Sequence, residues 1–205
     1  MSPADVLEVG AGVEDGDEWR DAEVRGDVAG VVARALTIRD CIVRGVQFTG
    51  AELEQLSLVN CVLEDCELTG VVADRIDVLQ CELHRCRMDA LVAGRGRWRD
   101  VAMRDCTLRD ASLRMTTWQR VELHDVGCAR ADLTGSTLDH VVLHDCDLSG
   151  VLLWDVTLRE VDLRGSTVAG VRGGLALRGA RIDEMQVVDI ARAVFEGLDI
   201  EVRED

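Results

Sequence analysis

The 205-residue chain has no lysine and no tyrosine, a single proline, and only two Phe and four Trp. All 23 basic residues are therefore Arg, a usage that points to a GC-rich bacterial source. No apolar run approaches the ~20 residues that span a bilayer, so no membrane helix is expected. The N-terminus, MSPADVLEVG, is acidic and lacks the basic region of a secretion signal. A soluble, cytoplasmic protein is the expectation. There is no glycine-rich phosphate loop, no serine, histidine and acid set that stands clear of the background, and no cysteine spacing typical of zinc. Neither enzymatic activity nor a cofactor is expected.

Acidic residues, by contrast, are plentiful. A net charge of −16 argues against direct binding to nucleic acid. The charge is uneven. Residues 1–24 hold eight acids and one Arg, and residues 181–205 hold eight acids and three Arg. In between, residues 85–120 carry nine Arg against four acids, flanked on both sides by acidic stretches.

The interior is a repeat with a period of five. Cut from Gly26, the chain reads GDVAG VVARA LTIRD CIVRG VQFTG AELEQ LSLVN CVLED CELTG, and continues so to VRGGL. The third residue of each block is apolar in 29 of 30 blocks, Gly173 being the exception, and it is Leu in half of them. The first residue is mostly small or aliphatic, and the others are mostly polar. A period of five fits neither the 3.6 of a helix nor the 2.0 of a flat strand.

AELEQ, CELTG, ADLTG, CDLSG and VDLRG resemble the repeat A(D/N)Lxx of the pentapeptide-repeat family, over about residues 26–173. Asp at the second position is less frequent here than in that pattern, and Phe occupies the centre only at Phe48. The resemblance implies an all-β fold, a right-handed quadrilateral parallel β-helix. Each block would form one side of a square, and four blocks one coil of twenty residues. Such a coil accounts for the cysteines. Cys41, Cys61 and Cys81 would form one column, Cys66, Cys86, Cys106 and Cys146 the next, and Cys128 is a central residue. They read as small buried hydrophobes rather than metal ligands. Trp98 and Trp118 fall one coil apart, in blocks that begin with Gly96 and Thr116. Small first residues beside large central ones conserve core volume.

Three segments are expected: an acidic stretch over 1–24, partly ordered at most; the β-helix over 25–182; and a C-terminal helix and short strand over 183–205. Val6, Leu7 and Val9 are expected to cover outward-facing Ile42, Val59, Val62, Val72 and Leu79. Asp183 is a helix N-cap, followed by Val187, Ile190, Ala191, Val194 and Phe195 at helical spacing, with Gly197 as the end. Leu198, Ile200 and Val202 alternate with acids like a strand. This segment would cap the open β-helix edge. It also resembles the ending of a mycobacterial family member that inhibits DNA gyrase, on Ala180, Arg181 and Asp183, and that resemblance adds a homodimer contact as a second role.

Candidate sites follow from the same frame. The tripeptide LHD occurs at 123–125 and again at 143–145, one coil apart. It stacks His124 on His144 and Asp125 on Asp145, a candidate transition-metal set on an open face. Leu152, Trp154, Arg97, Arg99 and Arg104 are candidate contacts for a protein partner. The leading reading is a non-catalytic, protein-binding rod. The family resemblance also implies an alternative, a DNA mimic that binds DNA gyrase or another type II topoisomerase and confers resistance to quinolones or other topoisomerase poisons. The Arg-rich band counts against it, because a mimic should be acidic along its length. Weak metal binding at His124 and His144 is the third reading.

Overall fold

The computed structural model describes residues 5–10 and 12–200. Its strands pair in parallel throughout and wind into the expected β-helix of about eight turns, with one short helix at the C-terminal end. The register is twenty. Trp98 lies opposite Trp118 and Trp118 opposite Leu138, and on the next side Val101, Val121, Val141 and Val161 form one line. Single bridges carry the same offset from Asp27 through Gln47, Glu67, Arg87, Thr107, Gly127 and Asp147 to Thr167. Four faces result. Face 1 turns inward the column that starts at Val28, face 2 that from Ala33, face 3 that from Ile38, and face 4 that from Val43.

The inward positions are the first and third of each block. Every third residue is buried except Leu158, at the last coil of face 3. The first position does more than fill space. Its side chain sits under a backbone carbonyl of the coil before: Cys61 Sγ donates to Ile38 O (3.3 Å), Cys66 Sγ to Val43 O (3.4 Å), Ser136 Oγ to Leu113 O (3.0 Å) and Ser166 Oγ to Leu143 O (2.6 Å). A thiol or a hydroxyl on a single carbon both fits and satisfies that acceptor, so Cys, Ser and Thr alternate with Ala and Val there.

The fifth position turns the corner in the left-handed region. Eighteen residues other than glycine do so between Asp40 and Glu160, with φ between 49° and 59°. Each costs about 1–2 kcal/mol relative to right-handed backbone. The compensation is a hydrogen bond. The corner N–H points along the rod and donates to the next coil, as in Asp65 N to His84 O (3.0 Å), Arg85 N to Arg104 O (3.0 Å) and Ala90 N to Arg109 O (2.8 Å).

One corner changes along the rod. Between faces 2 and 3, residues 35, 55 and 75 are not left-handed, and strands Val32–Arg39, Glu52–Val59 and Val72–His84 run straight through them. From Arg95 onward the same corner is left-handed. The first position after it changes from Leu36, Leu56 and Ile76 to Gly96, Thr116 and Ser136. At the switch, a Cβ on Gly96 would lie 1.9 Å from Ile76 O, so only glycine fits. The vacated volume holds Trp98 and Trp118, stacked with centroids 5.4 Å apart and planes at 16°. Trp118 Nε1 donates to Thr116 Oγ1 (3.1 Å). Trp98 Nε1 is buried without an acceptor among the described residues, because Gly96 has no hydroxyl to offer.

Two expectations about the ends are corrected. The β-structure begins at Asp5, not near residue 25. Strand Asp5–Val9 pairs with Ala22–Gly26, placing Asp5 opposite Ala22, and strand Asp17–Arg20 pairs with the start of the solenoid at Leu36–Arg39. These offsets of seventeen and nineteen break the five-residue frame, which hid the coil from sequence reading. Leu7 and Val9 close the N-terminal end of the core, while Val6 is exposed. They do not cover Ile42, Val59, Val62, Val72 and Leu79, which stand on three different faces and form no single patch.

At the other end the frame of five slips by one residue. Asp162 pairs with Arg181, nineteen residues on. Asp183 caps the turn Glu184–Gln186 by accepting from Met185 N (2.9 Å), and its second oxygen accepts from Gly165 N (2.7 Å). The buried Gln186 side chain donates to Leu163 O and Ser166 O, both at 2.6 Å, sealing the last coil of face 4. Helix Val187–Gly197 follows, with Ile190, Ala191 and Val194 half-buried and Val187 and Phe195 exposed. Its one buried residue is Ala193, against Gly174. The expected strand is not formed at Leu198–Ile200, where Asp199 turns with φ 55°; Val202 lies outside the described residues.

Two substitutions test this account. Gly96→Leu should overpack the switch coil by about 3 kcal/mol, lowering the thermal midpoint by roughly 6–12 °C; an unchanged midpoint contradicts the Ile76 contact. Ala90→Gly removes left-handed strain at an exposed corner and loosens the unfolded chain. The net expectation is about 0.5 kcal/mol of stabilisation, read as a rise of roughly 1–2 °C.

Candidate functional site

Because coils stack in register, residues twenty apart become neighbours, and the outward surface is a set of columns. Charged corners use this to pair vertically. Arg85 donates to both carboxylate oxygens of Asp65 (2.7 and 3.0 Å), Arg120 to both of Asp100 (2.5 and 2.9 Å), and Arg130 to both of Asp110 (2.7 and 2.6 Å). Hydrogen bonding to the guanidinium holds each of these Asp carboxyls below its ordinary range. A second arrangement clamps buried carboxylates. Glu23 is held by Arg25 and Arg44, Asp77 by Arg75 and Arg97, and Asp162 by Arg164 with His144 beyond. The Arg164 hydrogen bond pulls the Asp162 pKa far down.

The Arg-rich band becomes a belt. Arg87 and Arg109 stand on face 1, Arg114 on face 2, Arg97 and Arg99 on face 3 and Arg104 on face 4, with Arg85, Arg95 and Arg120 at corners. It closes around the rod. Among the candidate contacts, Arg97 leans on Asp77 and Arg99 on Asp100, both at 3.6 Å. Arg104 has no carboxylate within 4.0 Å among the described residues. Leu152 is half-buried on face 2. Trp154, two residues on, is 40% exposed beneath the Arg172 guanidinium, which lies 5.9 Å from the ring centroid and 4.0 Å from Glu196 of the C-terminal helix.

The two histidines meet as expected, with centroids 5.7 Å apart and rings edge to face. Their Nε2 atoms, however, turn to second-position acids: His124 Nε2 to Glu122 at 3.9 Å and His144 Nε2, which is buried, to Asp162 at 3.5 Å. Asp125 and Asp145 are exposed at the corner and do not join them. Among the described residues, no three His, Cys, Asp or Glu side chains converge on one point. Glu122 meets His124 because side chains two apart along a strand share a face, whereas Asp162 reaches His144 from the next coil.

All eight cysteines are free and buried. Burial pushes the Cys146 thiol up to about 11 and raises Cys41 and Cys128 as well. Of these, Cys41 Sγ donates to Arg39 O (3.1 Å) and Cys146 Sγ to His144 O (3.3 Å), and burial holds all three in the protonated form.

A model of pentapeptide repeats matches residues 128–165, as eight copies. No curated protein matches the chain. Among solved structures, a trypsin-treated variant of QnrB1, a plasmid-mediated fluoroquinolone resistance protein, is 14% identical, with 97% of this chain and 98% of that chain covered and a TM-score of 0.54. HetL, a pentapeptide repeat protein involved in heterocyst differentiation regulation from Nostoc sp. strain PCC 7120, is 16% identical over 87% and 86% of the two chains, with a TM-score of 0.31.

Two measurements check this surface. An aromatic disulfide reagent should label none of the eight thiols in the native protein and all of them in guanidinium. Titration with zinc or nickel should give no heat of binding; a saturable signal lost in His124→Ala would restore the metal site. With eight matched repeats in residues 128–165, and a register of twenty that runs from Asp27 to Thr167, the chain shares the repeat and the fold of pentapeptide-repeat proteins.

Proposed function

We propose that this protein is a non-catalytic rod that binds a protein partner in the cytoplasm, and that it pairs with a second copy through its C-terminal segment. The observation that carries this reading is the placement of exposed apolar side chains. At the C-terminal end, Met185 is 89% exposed, Val188 62%, Leu198 53% and Ile200 49%, with Val187 and Phe195 beside them. So much aliphatic surface on one short segment favours a partner over water, and symmetric pairing is the commonest way to cover it. Along the rod, the Trp154–Arg172 pair and Arg104, which has no carboxylate partner among the described residues, offer further contacts. Membrane and nucleic acid play no part in the reading.

The alternative is a DNA mimic that engages gyrase or another type II topoisomerase. Its support is the acidity of the chain and the fold shared with a fluoroquinolone resistance protein. Against it stands the Arg belt, which interrupts any acidic path along the rod on all four faces. The fold alone carries no function.

Purified protein should leave gyrase supercoiling unchanged at stoichiometric excess; a dose-dependent loss would replace the rod reading with the mimic. Sedimentation should give twice the 22.5 kDa chain mass, and Val188→Asp should return the monomer. A wild-type chain that stays monomeric at every concentration refutes the pairing.

A further inference from the structure

We infer that the N-terminal half of face 2 is a docking site for a basic amphipathic helix of the protein partner. This rests on the protein-binding reading above and names the surface and the chemistry of its occupant.

Between residues 26 and 173, the large exposed hydrophobic side chains are Val32, Val72, Val92, Met115 and Trp154. All five stand on face 2 or on the corner that follows it. The other faces are built from the same blocks, yet their outward aliphatics, such as Ile42, Val59, Val62 and Leu79, are half-buried. The fold does not impose this difference; the choice of residues does.

The charges beside the valines are also distinct. A shallow groove of about 460 Å³ runs between Val32 and Val72, walled by four acids, Asp15, Glu52, Glu54 and Asp74, and one cation, Arg34. Asp15 is occupied, accepting from Arg34 N (2.7 Å) and lying 3.6 Å from the Arg34 guanidinium. Glu52, Glu54 and Asp74 have no cation within 4.0 Å among the described residues, in contrast to the paired carboxylates at the corners. Exposed aliphatics flanked by uncompensated acids call for a partner that brings aliphatics flanked by Lys or Arg.

Spacing favours a helix. Second-position residues repeat along the rod at one strand spacing, ~4.8 Å. The column reads Val32, Glu52, Val72, Val92, so Val72 and Val92 lie roughly 9.6 and 14.4 Å from Val32; a helix laid along the axis brings i, i+7 and i+11 round to one side at rises of roughly 10.5 and 16.5 Å, within about 2 Å of each valine. A strand laid the same way repeats on one side about every 6.7 Å and loses register within two coils. Gly94 follows Glu54 and Asp74 in the fourth-position column. It has no side chain to stand between a partner and Val92, and a Cβ added there would make ordinary contact with Arg114 O at 3.7 Å.

Random peptides of roughly sixteen residues, a little over four helical turns, displayed on phage and selected on the intact protein, supply the probe. Enriched sequences should carry Lys or Arg beside aliphatics at helical spacing. The synthetic form of the best should bind E54K at least tenfold more weakly than wild type. D105K makes the same charge change on the corner after face 4 and should bind as wild type does. A scrambled peptide of equal charge should bind at least tenfold more weakly. Circular dichroism melts show that both variants are folded. If E54K and D105K weaken binding equally, or neither does, the site is not face 2 and the general rod reading stands. If no peptide is enriched, both readings fall.

Discussion

The molecule depends on one pairing, a backbone N–H of one coil with a carbonyl of the next, repeated at a fixed offset of twenty. A parallel solenoid offers backbone groups only up and down its axis, so donors must find acceptors there or go unsatisfied. From that constraint the rest follows. Corners adopt left-handed backbone because this points their N–H along the axis. First-position side chains are mostly small because a carbonyl of the previous coil lies above them; larger ones, Leu36, Leu56 and Ile76, follow the corner that is not left-handed. Where the corner type changes, the chain must carry glycine, because Ile76 O occupies the space of any side chain at residue 96.

This dependence explains what was legible in sequence. The frame of five sorted inward from outward positions with little error, because the pairing tolerates no insertion between Asp27 and Thr167. The cysteine columns, the Trp98–Trp118 stack and the His124–His144 stack all came from counting by twenty. The N-terminal coil did not, because its offsets of seventeen and nineteen leave no period to count. The strand expected after Gly197 failed for a different reason. Alternation over a few residues is weak evidence when no neighbouring edge is in place to pair with them. On the surface, counting gave the columns but not their contacts. The turn of His124 toward Glu122, and the choice between Arg85 holding Asp65 and Arg97 leaning on Asp77, depend on rotamers and on local burial.

The repeat model matches only residues 128–165, although the register runs far beyond them. ADLTG, CDLSG and VDLRG lie in that stretch, with Asp at the second position. There Asp132 and Asp147 accept from the backbone N–H two residues on, at 2.9 and 3.0 Å. Earlier coils put Val, Glu or Arg at the same place without losing the fold. The second position is thus where the fold leaves most freedom, and it is where the four faces differ most: aliphatic and acidic on face 2, rich in threonine on face 3.

The four tryptophans divide the rod into observable parts. Trp19 lies near the N-terminal end, 6.3 Å from Phe48; Trp98 and Trp118 form a dry, nearly parallel pair in the middle; and Trp154 is half open beneath Arg172 near the C-terminal end. Two indoles stacked at this distance couple their excited states and give a signature in near-ultraviolet circular dichroism that neither end produces. The terminal pair differs in quenching, one buried and one open to water. The native chain therefore carries its own position-resolved optical probes, with which fraying of either end can be followed separately from the loss of the centre.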